Sequence, residues 1–349
     1  MSNWMIYGAN GYTGGLVARL AASRGLRPVI AGRNAVTVGA LADELGMERA
    51  VVDLEDQAGL RAVLHDVAAV ALCAGPFVST SAAMIDACLA TGTSYVDVTG
   101  ELPVFRAVLD RADEAAEAGI ALVTGGGFDV VPTDCLAALL AAALPGATSL
   151  ELAFHAPGGA SRGTATTGIA MASEGGSLRR DGALVPTGFG VPSRMVPFPS
   201  RARRAGAVPW GDLVTAYHST GIPNITVYST LVGRRSPLTS VGQRLLRYGV
   251  VRDLAAGLVR RRPPGPSAAT RAATFVEVWG EVRDGAGGVR AAALTGPNAY
   301  DLTAEAVLRA IERLVDRAVT PGAHTPATAF GHGFLDDLDD VHVTPVAGS

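Results

Sequence analysis

The 349-residue chain contains no lysine; all 29 of its basic residues are arginine. Any mechanism that needs a lysine amine is thereby excluded, including Schiff-base chemistry, a P-loop lysine and the Tyr-x-x-x-Lys pair of short-chain dehydrogenases. Cysteine is scarce. Cys73, Cys88 and Cys135 stand far apart with no CxxC spacing, which excludes a disulfide framework and a zinc site and fits a reducing cytosol. The six histidines show no HExxH spacing, so no metal site is expected. The longest helical apolar stretch, 136–144, is too short to span a bilayer. No basic segment followed by an apolar one opens the chain, so no signal peptide is expected and the cytoplasm is the expected location. With 48% hydrophobic and 17% charged residues and a net charge of −3, what remains is a globular chain of about two domains.

The most informative residues come first. An apolar run at 4–7 leads into Gly8-Ala9-Asn10-Gly11-Tyr12-Thr13-Gly14, then into a helical pattern carrying Leu16, Val17 and Leu20. A second apolar run, Val29-Ile30-Ala31, ends in Gly32-Arg33-Asn34. Strand, glycine turn, helix and strand form the first half of a dinucleotide-binding unit, here with GxxGxxG spacing. Glycines allow the tight turn and let a diphosphate approach the helix N-terminus, where unpaired N–H groups favour anions. NAD sites place a carboxylate after the second strand to bind the ribose 2′-hydroxyl. Arg33 and Asn34 stand there instead, and a guanidinium pairs with a 2′-phosphate, so NADP(H) is the expected cofactor.

Apolar runs and helical patterns alternate through the first 125 residues. Helices are expected near 36–45, 57–65, 81–91 and 103–118, with strands at 50–52, 69–72, 95–98 and 120–123. Six strands alternating with helices indicate a Rossmann-type, doubly wound parallel sheet. Asp53 and Asp56, after the third strand, suit either an adenine-side contact or a plain turn. Beyond Gly125-Gly126-Gly127 the pattern changes. β-rich runs at 149–155, 224–232, 274–282 and 289–294 suggest a second, mixed α+β domain, and a long helix follows at 301–318. The acidic group Asp336, Asp337, Asp339 and Asp340 reads as a solvated tail.

Between residues 200 and 262, eleven arginines stand against Asp212 and Asp253. Leu245, Leu246, Val250, Val251, Leu254 and Leu258 recur among them at helical spacing. Such a segment is either a solvated amphipathic face or a docking surface for an acyl-carrier protein, a CoA phosphate or an anionic membrane. Nucleic acid is not expected, because no aromatics interleave with the arginines.

Taken together, GANGYTG, AGRN, CAGPF (73–77) with DVTGE (97–101), and GFDVVPTD (127–134) resemble the saccharopine dehydrogenase-like oxidoreductases, most closely their trans-acting enoyl reductase branch. Ser161-Arg162-Gly163-Thr164, Arg180-Asp181-Gly182, Gly296-Pro297-x-x-Tyr300 and Thr325-Pro326-x-x-Ala329-Phe330-Gly331 extend the likeness along the chain. The resemblance implies an NADP-binding domain over 1–127, an inserted substrate domain over 128–299, and a C-terminal segment, 300–349, packing back on the first. It places Ala74, Gly75, Pro76 and Phe77 beside the nicotinamide ribose, with Thr99, Gly100 and Glu101 at the same sheet edge. A homodimer is what the family suggests.

No catalytic acid stands out from residue type alone. Asp97 and Glu101 are the nearest carboxylates to the expected nicotinamide. Asp97 suits a strand-end hydrogen bond, whereas Glu101 suits a ribose or substrate anchor or a cap for the helix near Pro103. Asp129 fits either the site or a tie to its own loop. Tyr12 packs in the phosphate loop or donates a proton. His155 reads as a satisfied rim histidine, and Thr164, Thr166 and Thr167 offer hydroxyls to substrate. Cys73 reads as a small buried hydrophobe. Three functions fit these residues: an NADPH-dependent enoyl reductase acting on an acyl or polyketide-type substrate, an imine or ketone reductase of a small metabolite, and a non-catalytic NADP(H) sensor.

Overall fold

The computed structural model describes residues 3–232 and 249–348. The chain divides into two compact units, Met1–Val131 with Tyr300–Asp339 and Pro132–Ala299 with Asp340–Ser349.

The first unit begins with five strand–helix repeats and a sixth strand: β1 (Trp4–Tyr7), α1 (Tyr12–Ser23), β2 (Val29–Gly32), α2 (Ala35–Leu45), β3 (Arg49–Val51), α3 (Gln57–Leu64), β4 (Ala69–Leu72), α4 (Phe77–Thr91), β5 (Ser94–Asp97), α5 (Leu102–Leu109), α6 (Ala112–Glu117) and β6 (Ala121–Val123). β1, β2 and β4 are buried along their whole length, which is why they read as unbroken apolar runs. The expected helix at 81–91 in fact starts at Phe77, directly after Pro76. The expected helix over 103–118 is interrupted at Asp110 and Arg111, where Arg111 pairs with Asp86 (3.0 Å) and Glu114.

The second unit contains α7 (Val131–Ala143), β7 (Ser149–His155), α8 (Arg162–Glu174), β8 (Gly176–Arg180), β9 (Ala183–Thr187), β10 (Ser193–Pro197), β11 (Ala202–Ala207), α9 (Thr215–Thr220), β12 (Asn224–Ser229), α10 (Gly249–Arg260), α11 (Ala268–Ala272), β13 (Val276–Arg283) and β14 (Val289–Gly296). Its mixed sheet runs β10-β11-β12-β7-β13-β14, with β12 parallel to β7 and β13 antiparallel to it. On one face, Leu136 and Leu140 of α7 lie over Gly280 of β13, where a Cβ would come within 2.8 Å of Leu140. The other face carries Ala153, Val196, Phe198, Ala205, Ala207, Tyr228, Trp279 and Ala293 as a second hydrophobic core. That face curls: Arg194 of β10 reaches past three strands to stack over Trp279 of β13, 4.9 Å from the ring centroid. The β8–β11 strands and α8 were not apparent in the sequence. Arg180-Asp181-Gly182 spans the turn of the β8–β9 hairpin.

The chain then returns to the first unit with α12 (Ala299–Val315), β15 (Gly322–His324) and α13 (Pro326–Phe330). Among the described residues the first sheet has seven strands, all parallel, in the order β15-β6-β5-β4-β1-β2-β3. The order reverses between β1 and β4, the switch point at which such sheets bind nucleotides. Residues 340–349, grouped by the sequence with the first domain, belong to the second unit. There β16 (His342–Val343) and β17 (Ala347–Gly348) pair with β14. The acidic group is not simply solvated, since Asp337 pairs with Arg313 and Asp339 with Arg24 (2.8 Å).

Candidate active site

Because the strands of the first sheet are parallel, every turn named in the sequence leaves the sheet at its C-terminal edge. Gly8 follows β1 with φ +84°, and a Cβ there would lie 2.7 Å from the Ala74 nitrogen. The first turn therefore packs directly against Cys73-Ala74, after β4. Gly14 would drive a Cβ to 2.5 Å from the Gly8 oxygen, so α1 can begin against the turn only with glycine. No side chain caps α1 at its N-cap, Gly11, and its first turn holds no acidic residue. By contrast, α2, α3 and α8 are capped by Asn34, Asp56 and Ser161. An uncapped helix start behind a glycine turn suits a diphosphate.

Around it, Asn10 donates to the Thr37 hydroxyl (3.0 Å) and so braces the glycine turn against α2. Asn34 spends its side-chain oxygen on the N–H groups of Val36 and Thr37, both at 3.1 Å. Thr13 sits partly buried in the first turn of α1. Tyr12 meets Tyr300 edge-on at 5.0 Å, which places its ring in packing. Arg33 is exposed and makes no ion pair among the described residues. Asp53 is exposed too, and its carboxylate accepts from the Glu55 N–H (3.1 Å), a turn contact. Buried Tyr7 donates to the Val52 carbonyl (2.9 Å). Burial and then Asp53 push its hydroxyl up to about 12, with Arg33 pulling the other way. Arg33 and Asp53 therefore flank the same end of β1.

The middle of the edge is held by two carboxylates. Asp97, wholly buried, accepts from the Thr99 and Gly125 N–H groups (3.0 and 2.9 Å) and from the Tyr95 and Thr124 hydroxyls. Burial raises its pKa against those bonds, and it ties the turns after β5 and β6 together. Glu101 caps a helix, but not the one beginning near Pro103. Its two oxygens accept from Phe77 (3.0 Å) and Val78 (2.9 Å) at the start of α4. Pro76 has no side chain to do this, so Glu101 sets the Gly75-Pro76-Phe77 turn. The Thr80 hydroxyl, donating to the Ala74 oxygen (2.7 Å), locks the turn from its other side. Gly75 and Pro76 are exposed. Thr99 is buried, its hydroxyl taken by the Glu101 N–H (3.1 Å), which leaves backbone and Gly100 to face a ligand. Cys73 is inert, its thiol pushed up to about 12 by burial and by Asp97.

Asp129 lies against Gly100, where an added Cβ would come within 2.8 Å of its Oδ2. Burial raises its carboxyl to about 6. Its loop is fixed from α12, since the Phe128 N–H donates to the Thr303 hydroxyl (3.0 Å). Thr303 and Tyr300 both support the edge; Tyr300 lies in the Gly296-Pro297-x-x-Tyr300 motif, whereas nothing in the sequence marks Thr303. In the second unit, His155 Nδ1 meets the Thr230 hydroxyl at 2.8 Å. Thr164 binds the Ser161 cap and Thr166 bonds back to the Arg162 carbonyl, so both hydroxyls serve α8 itself. Among the described residues no group of three His, Cys, Asp or Glu side chains is placed to hold a metal ion. No helix there is long and apolar enough to cross a membrane.

These features agree with the comparisons. The family model of the saccharopine dehydrogenase NADP binding domain matches residues 4–123. A trans-acting enoyl reductase of Mycobacterium ulcerans is 31% identical over 138 residues, 37% of this chain. One of Mycobacterium tuberculosis is 30% identical over the same length. In each case the match spans 33% of the relative's length. In fold, the chain is similar to an apo saccharopine dehydrogenase (L-Glu forming) from Saccharomyces cerevisiae, with a TM-score of 0.66 and 13% identity, covering 99% of this chain and 100% of that one. Residues 4–123 thus match the saccharopine dehydrogenase NADP binding domain, the whole chain shares the fold of a saccharopine dehydrogenase, and its cofactor is NADP(H).

Proposed function

We propose that the protein is an NADPH-dependent reductase of a polarised carbon–carbon double bond, acting on an enoyl thioester of acyl or polyketide type. The observation that carries this reading is the Asp129 carboxyl, raised to about 6 and seated against Gly100 at the ligand edge of the sheet. The names of the relatives, which match over 37% of this chain, support the enoyl class.

The residues fit the cofactor. Gly8, Gly11 and Gly14 with the uncapped start of α1 would hold the diphosphate, Arg33 the 2′-phosphate, and the Gly75–Phe77 and Thr99–Gly100 turns the nicotinamide end. Bound there, NADPH supplies a hydride. Adding hydride to the β-carbon of an enoyl thioester leaves an enolate, which one proton on the α-carbon converts to the saturated product. A carboxyl near pH 6 still holds a proton in a useful fraction of molecules at neutral pH, and Asp129 is the group to deliver it. Glu101 already holds the start of α4 through both its oxygens, so the proton is assigned to Asp129 rather than to it.

The carrier-docking role of the arginine segment is part of the same proposal. Residues 233–248, with Arg234, Arg235, Arg244, Arg247, Leu245 and Leu246, lie outside the described residues. In α10, Leu254 (68% exposed) and Leu258 (59%) stand one turn apart, just ahead of exposed Arg261 and Arg262. An apolar pair edged by guanidinium groups suits an acidic carrier protein. The test is NADPH consumption with carrier-bound enoyl thioesters, small enoyl thioesters, cyclic imines and ketones. Turnover of the thioesters is expected, with Arg261→Glu and Arg262→Glu raising KM for the carrier-bound form alone. Turnover confined to imines or ketones would refute the reading.

A further inference from the structure

The second unit holds a charged cluster that the reductase chemistry does not use. His155 ends β7, and Glu277 near the start of β13 is its direct cross-strand partner. Arg203 reaches the same place from β11. Glu277 is completely buried and accepts from the Ser200 N–H (2.6 Å), the Ser200 hydroxyl (2.9 Å) and Arg203 Nη2 (3.1 Å). Arg203 Nη2 also donates to Ser200 Oγ at 2.9 Å. The carboxylate is thus saturated and the guanidinium is fixed in place, 16% exposed. Its Nε–H is buried without a hydrogen-bond acceptor among the described residues. His155 Nδ1 is taken up with Thr230, and its ring lies 6.2 Å from Phe198. Burial, then Arg203, then Arg201 hold its pKa below the usual imidazole value, against the opposing pull of Glu277. With His155 neutral, Arg203 is set against the Glu277 carboxylate while Arg201 adds a second positive charge felt at His155, so the cluster is one negative charge short. Ser200 and Arg201 are exposed, so it opens to solvent.

We propose that Arg203, Arg201 and His155, set around the buried Glu277, form an anion-binding subsite for a carboxylate or phosphate group of a ligand. An anionic oxygen is the acceptor that Arg203 Nε–H lacks, and Arg201 supplies the second positive charge. The net charge of the cluster turns away cations. The proposal is independent of the reductase reading, because it is read by binding without turnover.

His155 is the reporter. An anion seated between the arginines favours the imidazolium, so its pKa must rise. The measurement is the pH titration of the imidazole ring protons by NMR on the full chain, with His155→Gln identifying the signal. Inorganic phosphate and acetate are the probes, and chloride at matched ionic strength is the control. Phosphate or acetate is expected to raise the His155 pKa saturably by about half a unit or more. Arg201→Gln, at an exposed position, should weaken that effect about tenfold, and Arg203→Lys, which removes the Nε donor, should do likewise. Saturation first by phosphate identifies a phosphoryl ligand, and first by acetate a carboxylate. A pKa that moves equally with chloride, or equally in Arg201→Gln, overturns the proposal.

Discussion

Arg33 stands exposed at the end of β2, with no carboxylate in its own turn. Losing a charge-assisted, bidentate contact costs on the order of 1.5–3 kcal/mol. Arg33→Ala should therefore weaken NADPH binding by roughly ten- to a hundredfold and leave NADH binding nearly unchanged, as titration calorimetry would show. Equal losses would remove the 2′-phosphate assignment. Asp129 carries an opposite pair of effects. Its folded pKa of about 6 lies above the ordinary 3.8, so its contribution to stability is fully present below 3.8 and is lost as pH rises through 6. Asp129→Asn should then stabilise the protein at pH 7.5 by about 1–3 kcal/mol, with the gain gone near pH 4, and should lower kcat. Denaturant midpoints across pH and steady-state rates check the two halves. The glycine turn was legible because its meaning is local. The strand-end bond of Asp97 was legible too, but its ties to Thr124 and Gly125 and the role of Thr303 were not, because they join turns and a helix far apart in sequence.

Helix starts show why element boundaries were harder to read. α2 starts where expected because Asn34 is both its neighbour and its cap. α4 starts four residues early because its cap, Glu101, lies 24 residues away on the next turn. Glu101→Gln keeps one acceptor oxygen and turns an amide N–H toward the other donor. It should cost about 1–2 kcal/mol in thermal or denaturant unfolding and raise KM for NADPH through the Gly75–Phe77 turn. Wild-type stability in that variant would show that the cap does not hold α4. β15 escaped notice for a different reason. Gly322-Ala323-His324 is three residues with no apolar run, and it is a strand only because β6 offers it an edge. Likewise β8–β11, with glycines, prolines and arginines throughout, are strands through their pairing rather than their composition.

At the scale of the whole molecule, the first unit is closed by ion pairs between the beginning and the end of the chain. Glu305 of α12, with its side chain 7% exposed, lies between Arg24 after α1 and Arg309, while Asp339 approaches the same arginines from the surface at 63% exposure. Burial decides their weight. Glu305→Gln removes the buried carboxylate and leaves Arg24 and Arg309 only their surface partners, Asp339 and Glu312, so it should cost about 1–3 kcal/mol, whereas Asp339→Asn should cost less than about 1 kcal/mol. Comparable losses in urea would contradict that ordering. Two units, a doubly wound sheet and a mixed one were visible in the alternation of patterns, but the curl of the second sheet was not, since Arg194 over Trp279 joins strands distant in sequence. The central claim concerns where hydride goes. Incubation of the enzyme with NADPH deuterated at C4 of the nicotinamide and a mixture of an enoyl thioester, a cyclic imine and a ketone, followed by mass spectrometry of the products, tests it directly. The account predicts a saturated thioester with one deuterium on the β-carbon. Recovery of unchanged enoyl thioester, with deuterium appearing instead at the carbon of an imine or ketone, would contradict it.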